Sequence, residues 1–180
     1  MIFDPFPVFS PSAYRVKFAT EAWERREAAA LRHRVFCDEQ GIFVGNDRDA
    51  IDDTAIPLVS ISSFGVAPHE VVGTVRIHEA EPGIWWGSRL AVLPEYRRLG
   101  AVGGSLIRLA VSSVHARGCK RFYAHVQSRN ALMFQSLHWT SLGEMEFHGR
   151  PHHLMEADLA HYPPIADAET GFLSLPKKAA

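Results

Sequence analysis

The sequence predicts an α/β protein, and three observations support this fold class. The apolar run from Leu90 to Leu93 predicts a strand, which Pro94 closes because proline cannot donate a hydrogen bond to a sheet. A loop with three glycines follows, and the next apolar residues are spaced three and four apart, as on one face of a helix. Segments with strand-like and helix-like patterns also succeed one another along the rest of the chain.

The predicted order is strand, helix, three strands, helix, strand, helix and two strands. The first helix is expected from Glu21 to about Glu39, with Thr20 as its N-cap and Gly41 at its end. Its sheet-facing side is expected to hold Trp23, Ala30, Leu31, Val35 and Phe36. The predicted strands cover residues 14–18, 58–64, 71–78, 84–93, 121–126, 142–147 and 153–158, and the last short helix covers 130–137.

The length favours one domain. A chain of 180 residues with 47% hydrophobic content can bury one sizeable core. We assign residues 14–160 to this domain. Residues 1–13 are expected to form an arm held on the surface by Phe3, Phe6 and Phe9, and residues 161–180 a loosely ordered tail.

Charge and cysteine content restrict the partners. The formal net charge is -1, so no basic field favours nucleic acid. Cys37 and Cys119 match neither a disulfide framework nor a zinc spacing, which is typical of a reducing compartment. No leader and no apolar run of membrane-spanning length is evident. We therefore expect a cytoplasmic protein that acts on a small molecule, with no nucleic-acid or membrane partner.

The loop after the strand is suited to an anion. A helix start presents unpaired backbone N–H groups, and glycines allow close approach of a phosphate. Arg97 and Arg98 add positive charge. The alternative is a basic surface turn that opens an ordinary core helix.

This Arg-x-x-Gly segment resembles the acyl-CoA loop of the GNAT acetyltransferases. The register is ambiguous by one residue: Arg97 leads to Gly100 and then Val102, where a small residue is expected, whereas Arg98 leads to Ala101 and then Gly103.

Two distant segments resemble one GNAT branch. The run LRHRVFCDEQGIF resembles its Leu-Arg…Val-Phe…Glu-Gln segment, and HGRPHHLMEADL resembles its Gly-x-Pro-His…Met ending. The stretch VVGTVRIHEAEPGIWWGSRLAV is similar to the N-acetyltransferases associated with nitrogen starvation.

The resemblance implies a GNAT fold: a mixed, mostly antiparallel central sheet of about seven strands, flanked by helices, with a splay between the fourth and fifth strands. It also implies a binding site for acetyl-CoA as co-substrate. By matching positions, its cofactor-binding residues are Leu90, Ala91, Val92, Arg97, Arg98, Leu99, Gly100, Ala101, Val102, Gly103, Gly104, Ser105, Asn130 and Phe134.

Phe134 departs from the family pattern, because it occupies the position of a tyrosine that protonates the leaving thiolate. Phenylalanine has no proton to donate. Either another group such as His138 serves, or the thiolate takes its proton from water.

The implied reaction is acetyl transfer to the amine of a small-molecule acceptor by direct attack in a ternary complex. An amine of pKa near 10 needs a base or a water chain. We expect the base among Glu39, which is preferred, His125 and Glu79, with His78 a further candidate; each could instead be a structural histidine or a solvated carboxylate.

Arginines could bind an acidic group on the acceptor. The candidate substrate-binding residues are Arg34, Arg76, His78 and Arg89, although Arg89 could equally pair with an aspartate of the loop 44–56. That loop either covers the acceptor pocket or is a solvated connector.

No metal is expected. The histidines His148, His152 and His153 match no metal motif, and neighbouring strand residues such as His152 and His153 point to opposite faces.

Two other functions are compatible with the sequence. A CoA-binding sensor or partner subunit without catalysis would account for Phe134 and the irregular loop. An acyltransferase with a longer acyl donor is the other, and a homodimer is left open.

Overall fold

The computed structural model describes residue 11 and residues 13–175, and an eight-stranded sheet forms its centre. The strand order is β6-β7-β5-β4-β3-β2-β1-β8. The proposed anchors of the N-terminal arm, Phe3, Phe6 and Phe9, lie outside the described residues. The strands are β1 Tyr14–Phe18, β2 Ile56–Phe64, β3 Ala67–Glu81, β4 Ile84–Val92, β5 Arg121–Gln127, β6 Trp139–Phe147, β7 Arg150–Ala157 and β8 Phe172–Ser174.

Strands β4 and β5 form a parallel pair, whereas the other neighbouring strands are antiparallel. Their pairing covers only Ile84–Gly87 against Arg121–Ala124. Beyond Gly87 the two strands separate, which confirms the predicted mixed sheet with a splay between the fourth and fifth strands.

A β-bulge lies at the start of this splay. Arg76 of β3 pairs with Ser88, but Thr74 pairs with Ala91, so β4 has one extra residue between them. Arg89 adopts a positive φ of 55° there. The bulge changes the direction of β4 at the point where it leaves β5.

The sheet has eight strands rather than about seven, because β8 pairs with β1 in the segment predicted to be a loosely ordered tail. Residues 172–174 are therefore part of the sheet. Just before them, Gly171 has a φ of 64°, and a Cβ there would lie 1.8 Å from the carbonyl oxygen of Val16. Only glycine fits this approach of the tail to β1.

Helices cover both faces of the sheet. They are α1 Ala22–Arg32, continued by a π-helical segment His33–Glu39, then α2 Ala101–His115 and α3 Ala131–Ser136. Short 3-10 turns cover Ala50–Asp53, Pro94–Leu99, Ser128–Asn130 and Leu159–His161. Both α1 and α2 pack on β3, and every residue of β3 from 71 to 77 is buried, so both faces of this strand are covered. The two helices lie on opposite faces of the sheet. None of the described helices combines the length and the apolar composition that crossing a membrane requires.

The first helix begins one residue later than predicted. Glu21, not Thr20, is the N-cap, because the carboxylate of Glu24 accepts the backbone N–H groups of Thr20 and Glu21 at 2.9 and 3.1 Å. Lys17 on β1 also pairs with Glu24 at 2.7 Å. This buried carboxylate joins the helix start to β1.

The sheet-facing side of this helix also differs in part. Leu31, Val35 and Phe36 are buried as predicted, but Ala30 is exposed and Ala28 is buried in its place. Trp23 is partly buried against the core.

Candidate active site

A cavity of about 460 Å³ occupies the splay and is lined from both faces of the sheet. Side chains alternate between the two faces along a strand, and paired residues on neighbouring strands lie on the same face. The residues that line the cavity therefore fall into two sets, one on each face of the sheet. The helix-side compartment faces α2 and is lined by Val75, Ile107, Ala110, Phe122 and Phe134. The aromatic compartment lies on the other face and is lined by Phe43, His78, Trp86, His125, Phe147 and His148. The splay joins the two compartments through the sheet.

Rings form a continuous arc in the aromatic compartment. The centroids of Trp86 and His125 are 5.0 Å apart, and those of His125 and Phe147 are 4.5 Å apart, both in stacked geometry. The arc continues from Phe147 to His148 at 4.1 Å and from His148 to Phe43 at 5.0 Å. Cross-strand pairing of His78 with Trp86 places His78 beside this arc.

The imidazoles of this compartment are poor cations. Burial, followed by the charge of Arg76, lowers the pKa of His78. Burial also lowers the pKa of His125, followed by its neighbours His152 and His148. These histidines are therefore neutral at pH 7 and can accept a proton.

The arginines predicted to bind the acceptor are already paired. Arg76 is only 2% exposed, and its Nη1 lies 2.7 Å from Asp49 and 2.8 Å from Asp52. Arg89 contacts Asp47 at 3.1 Å and Asp49 at 3.2 Å, which is the loop pairing that the sequence left as its alternative. Both guanidinium groups therefore already have aspartate partners, with which an acidic acceptor group would have to compete.

Arg32 completes a network of three arginines and three aspartates. It pairs with Asp47 and Asp52, each at 2.7 Å. Burial would raise the pKa of Asp52, but hydrogen bonds from Arg32, the Asp49 N–H and Arg76 lower it far below its usual range. Because Asp47, Asp49 and Asp52 point inward, the loop 44–56 is attached to the sheet, and Asp49 and Ile51 line the cavity.

Arg34 lies away from the cavity walls. Its guanidinium is half exposed and pairs with Glu95 at 3.3 Å. Glu95 lies in the first turn of the 3-10 segment before α2, so Arg34 contacts the loop of the predicted donor site rather than the acceptor side.

The predicted anion loop has the geometry of an open helix start. Gly100 has a φ of 59° and is the N-cap of α2. The first N–H that bonds back within the helix is that of Gly104, to the Gly100 carbonyl at 3.2 Å. The N–H groups of residues 101–103 therefore lie at the free end of the helix, where an anion can accept from them.

Gly100 at the N-cap favours the register that begins with Arg97. In that register Val102 stands where a small residue is expected. Val102 is buried against β3, where a Cβ at Gly73 would lie 2.7 Å from Val102 Cγ1. The glycine on the strand thus provides the space that the larger helix residue needs.

Of the three predicted catalytic residues, only His125 lines the cavity. Glu39 forms a two-point ion pair with Arg97, whose hydrogen bonds lower the pKa of this carboxylate. Glu79 is exposed at the end of β3 and accepts the Gly83 N–H at 2.8 Å. The geometry disfavours both carboxylates as bases.

Asn130 and Phe134, two of the predicted cofactor-binding residues, line the cavity. Phe134 packs edge-on against Trp139, with centroids 5.1 Å apart. His138, the alternative proton donor, is exposed and stacks on His161 at 3.6 Å, away from the cavity walls.

Sequence reasoning missed the ring arc and a glutamine bridge. Gln127 on β5 donates to Gln40 at 2.9 Å, and both residues line the cavity at the end of the π-helical segment. Phe147 and Gln127 belong to no motif, and Trp86, within the stretch 71–92, had no predicted role in the site. Side chains alternate between the two faces of a strand, so Gln127 lies on the same face as His125. The alternation alone does not show that Trp86 shares the face of His78, because that also requires the pairing register of β3 with β4.

The neighbouring histidines of β7 diverge. His152 Nδ1 lies 2.8 Å from the Arg150 carbonyl, whereas His153 Nδ1 lies 2.8 Å from the Ser141 hydroxyl. Within the described part of the chain, no group of three or more His, Cys, Asp or Glu residues is placed to hold a metal ion.

A mixed sheet that opens beside an anion-binding helix start is the architecture of acyl-CoA-dependent N-acyltransferases. The family model described as the acetyltransferase (GNAT) family matches residues 16–135. The chain belongs to this family and is a GNAT-type N-acetyltransferase. The family uses acetyl-CoA as its co-substrate.

Solved structures share the fold. A Lactobacillus plantarum protein assigned as an N-acetyltransferase is 22% identical with a TM-score of 0.70, covering 81% of this chain and 98% of its own. Escherichia coli ElaA is 20% identical with a TM-score of 0.65 and the same coverage. An acyl-CoA N-acyltransferase from Pseudomonas aeruginosa is 15% identical with a TM-score of 0.63, covering 81% and 99%. A comparison with curated proteins found no match.

Proposed function

We propose that this enzyme transfers the acetyl group of acetyl-CoA to the amine of a small molecule by direct attack in a ternary complex. The observation that carries this proposal is the cavity through the splay, which joins the helix-side compartment to the aromatic compartment. A thioester on one face and an amine on the other can meet there without either crossing the sheet.

CoA is proposed to enter along β4 and α2. After Gly87, no described residue of β5 pairs with β4, so backbone groups of residues 90–92 can pair with pantetheine. The pyrophosphate then lies at the α2 start, held by residues 97–105 and, in the register described above, by Arg97. Asn130 and Phe134 lie beside the thioester end of this path.

The acceptor amine must lose a proton before it attacks. His125 is the proposed base, because its lowered pKa keeps the imidazole neutral and it lines the cavity. His78, beside Trp86, is the second candidate. The departing thiolate is proposed to take its proton from water, since Phe134 cannot donate one and His138 is turned away.

Two finer assignments accompany this proposal. The stretch at residues 71–92 supports the nitrogen-starvation-associated branch, and the segments around Val35-Phe36 and at 148–159 support a single GNAT branch. A cytoplasmic location is supported by the free thiols of Cys37 and Cys119.

Thermal unfolding with and without CoA, followed by a thiol-release assay with a panel of amines, tests the proposed function. CoA and acetyl-CoA should raise the melting temperature, and a suitable amine should release free CoA. An unchanged melting temperature would contradict the CoA site. Binding without release for every amine would favour the non-catalytic sensor instead.

A longer acyl donor is the second candidate, because the helix-side compartment is walled by apolar side chains. TofI, solved in a ternary complex with an inhibitor and MTA, shares the fold at 17% identity and a TM-score of 0.62. Comparison of acetyl-, butyryl- and octanoyl-CoA under identical conditions distinguishes the donors. If kcat/KM increases with the length of the acyl chain, the proposed donor is a longer acyl-CoA and not acetyl-CoA.

A further inference from the structure

We propose that the aromatic compartment selects an acceptor amine that carries an uncharged aromatic ring and no carboxylate. This inference rests on the proposed function, because it names the substrate class of the same site.

The first step is the chemistry of the walls. Five rings, those of Trp86, His125, Phe147, His148 and Phe43, follow one another in contact around the compartment. Such an arc presents ring faces and edges over a wide surface. An aromatic ligand can meet it in stacked or edge-to-face geometry, whereas an aliphatic ring of equal size gains only the burial.

The second step is the charge of the walls. Among the described residues that line the cavity, the charged ones are Asp49, Arg76 and Arg89, and all three belong to the arginine–aspartate network. Arg32, Asp47 and Asp52 complete that network, so its three positive and three negative charges cancel. Every cation among the described residues of the lining therefore already has an aspartate partner, with which an acceptor carboxylate would have to compete.

The same balance disfavours polycationic acceptors. Both oxygens of Asp49 accept from Arg76, and Oδ2 accepts also from Arg89. A second ammonium group on the acceptor therefore meets no free carboxylate among the lining residues that the structure describes. A spermidine N-acetyltransferase from Vibrio cholerae, in a chimera with hSSAT, has this fold at 15% identity with a TM-score of 0.60. The described part of this cavity, however, presents no unpaired acidic group for a polyamine.

A panel of matched amines tests the inference. Phenethylamine and tryptamine are compared with 2-cyclohexylethylamine, which keeps the size without the π system. Phenylalanine and tryptophan keep the ring and add a carboxylate, and spermidine adds charge. We expect kcat/KM for phenethylamine to exceed that for 2-cyclohexylethylamine and for phenylalanine by about tenfold or more. Equal values, or a preference for spermidine or an amino acid, would overturn the inference.

Two variants test whether the ring arc causes the preference for an aromatic amine. Phe147→Leu should reduce the phenethylamine-to-cyclohexylethylamine ratio by at least about threefold. Phe172→Leu, the same change on β8 at the far edge of the sheet, should leave the ratio unchanged. Stabilisation by CoA verifies that each variant is folded. An unaltered ratio in Phe147→Leu would count against the ring arc.

The two proposals fail in different ways. If other amines are acetylated without an aromatic preference, only this inference fails. If no amine is acetylated, calorimetric titration of phenethylamine and 2-cyclohexylethylamine into the CoA complex still compares the two ligands. Tighter binding of phenethylamine would then support the substrate class while the transfer reaction is rejected.

Discussion

The guanidinium of Arg97 holds the carboxylate of Glu39 at two points, with N–O distances of 2.5 and 2.8 Å. Its Nε donates to the Val92 carbonyl at 2.9 Å as well. The pair connects the end of the π-helical segment with the loop before α2. It also joins two residues with unrelated predicted roles, a catalytic base and a phosphate ligand.

Glu39→Gln should lower kcat by less than about threefold, because hydrogen bonds from Arg97 lower the pKa of Glu39 and make it a weak base. The same change should tighten CoA binding by a few fold, since Arg97 no longer has a competing anion. Steady-state kinetics and calorimetric titration with CoA measure both effects.

Arg97→Gln is the matched control for that variant. It should weaken CoA binding by about tenfold, the loss expected for a charge-assisted hydrogen bond. A fall in kcat of more than a hundredfold in Glu39→Gln, with CoA affinity unchanged, would restore Glu39 as the base.

His125→Asn should lower kcat by about a hundredfold, within the range for general-base catalysis. In the unaltered enzyme kcat should fall as the pH decreases through a pKa below the ordinary histidine value of about 6.5, because burial lowers the pKa of His125. Above that pKa the imidazole is neutral and active. The variant should lose this acidic limb of the kcat–pH profile.

His78→Asn is the comparison, because His78 lies beside the same tryptophan and burial lowers its pKa too. It should keep the acidic limb. If instead the limb disappears in His78→Asn and persists in His125→Asn, the base is His78.

Local patterns made some elements predictable. The strand, loop and helix from residue 84 to 115 depend on runs of apolar residues, a proline stop and glycines at the helix start, all of which act over a few residues. The parallel β4–β5 pair and its splay followed from the resemblance. The π-helical widening after Arg32 and the strand β8 did not follow, since the first keeps a helical pattern and the second is only three residues long and depends on β1.

The sequence left the role of Arg89 open between the acceptor and a loop aspartate, and it did not predict the pairing of Arg76, for a different reason. Arg76 is separated from Asp49 by 27 positions and Arg89 from Asp47 by 42. A sequence shows an arginine near a predicted pocket, but not whether a distant loop brings it a carboxylate. Burial of Arg76 at 2% exposure makes such a partner necessary, and the fold supplies two.

Asp52→Asn should destabilise the fold by about 2 kcal/mol. The loss is smaller than for an isolated buried pair because Arg32 keeps Asp47 and Arg76 keeps Asp49. Urea denaturation at pH 7 measures the change. Asp53→Asn is the control, since Asp53 is exposed and lies 4.0 Å from Arg48; its effect should stay within about 0.5 kcal/mol.

The contribution of Asp52 should also depend on pH. Its pKa is lower in the folded chain than in the unfolded chain, so the unfolded chain binds more protons in acid. The stabilisation is present above the unfolded value of about 4 and is lost as the pH falls toward the folded value. The difference between the original protein and Asp52→Asn should therefore shrink below pH 4. A constant difference down to pH 3 would contradict this charge-based explanation.

Gly73→Ala should destabilise the protein by about 2 kcal/mol and weaken CoA binding, because the new Cβ would lie 2.7 Å from Val102 and 2.9 Å from Leu106. Both residues are in α2, so relief of the overlap moves the helix start that is proposed to hold the pyrophosphate. Urea denaturation and CoA titration measure the two effects. The double variant Gly73→Ala with Val102→Ala removes the contact with Val102 and should recover most of the CoA affinity. If the double variant binds CoA no better than Gly73→Ala, the glycine does not act by making room for Val102, and the departure of Val102 from the small residue expected in the loop is accommodated in another way.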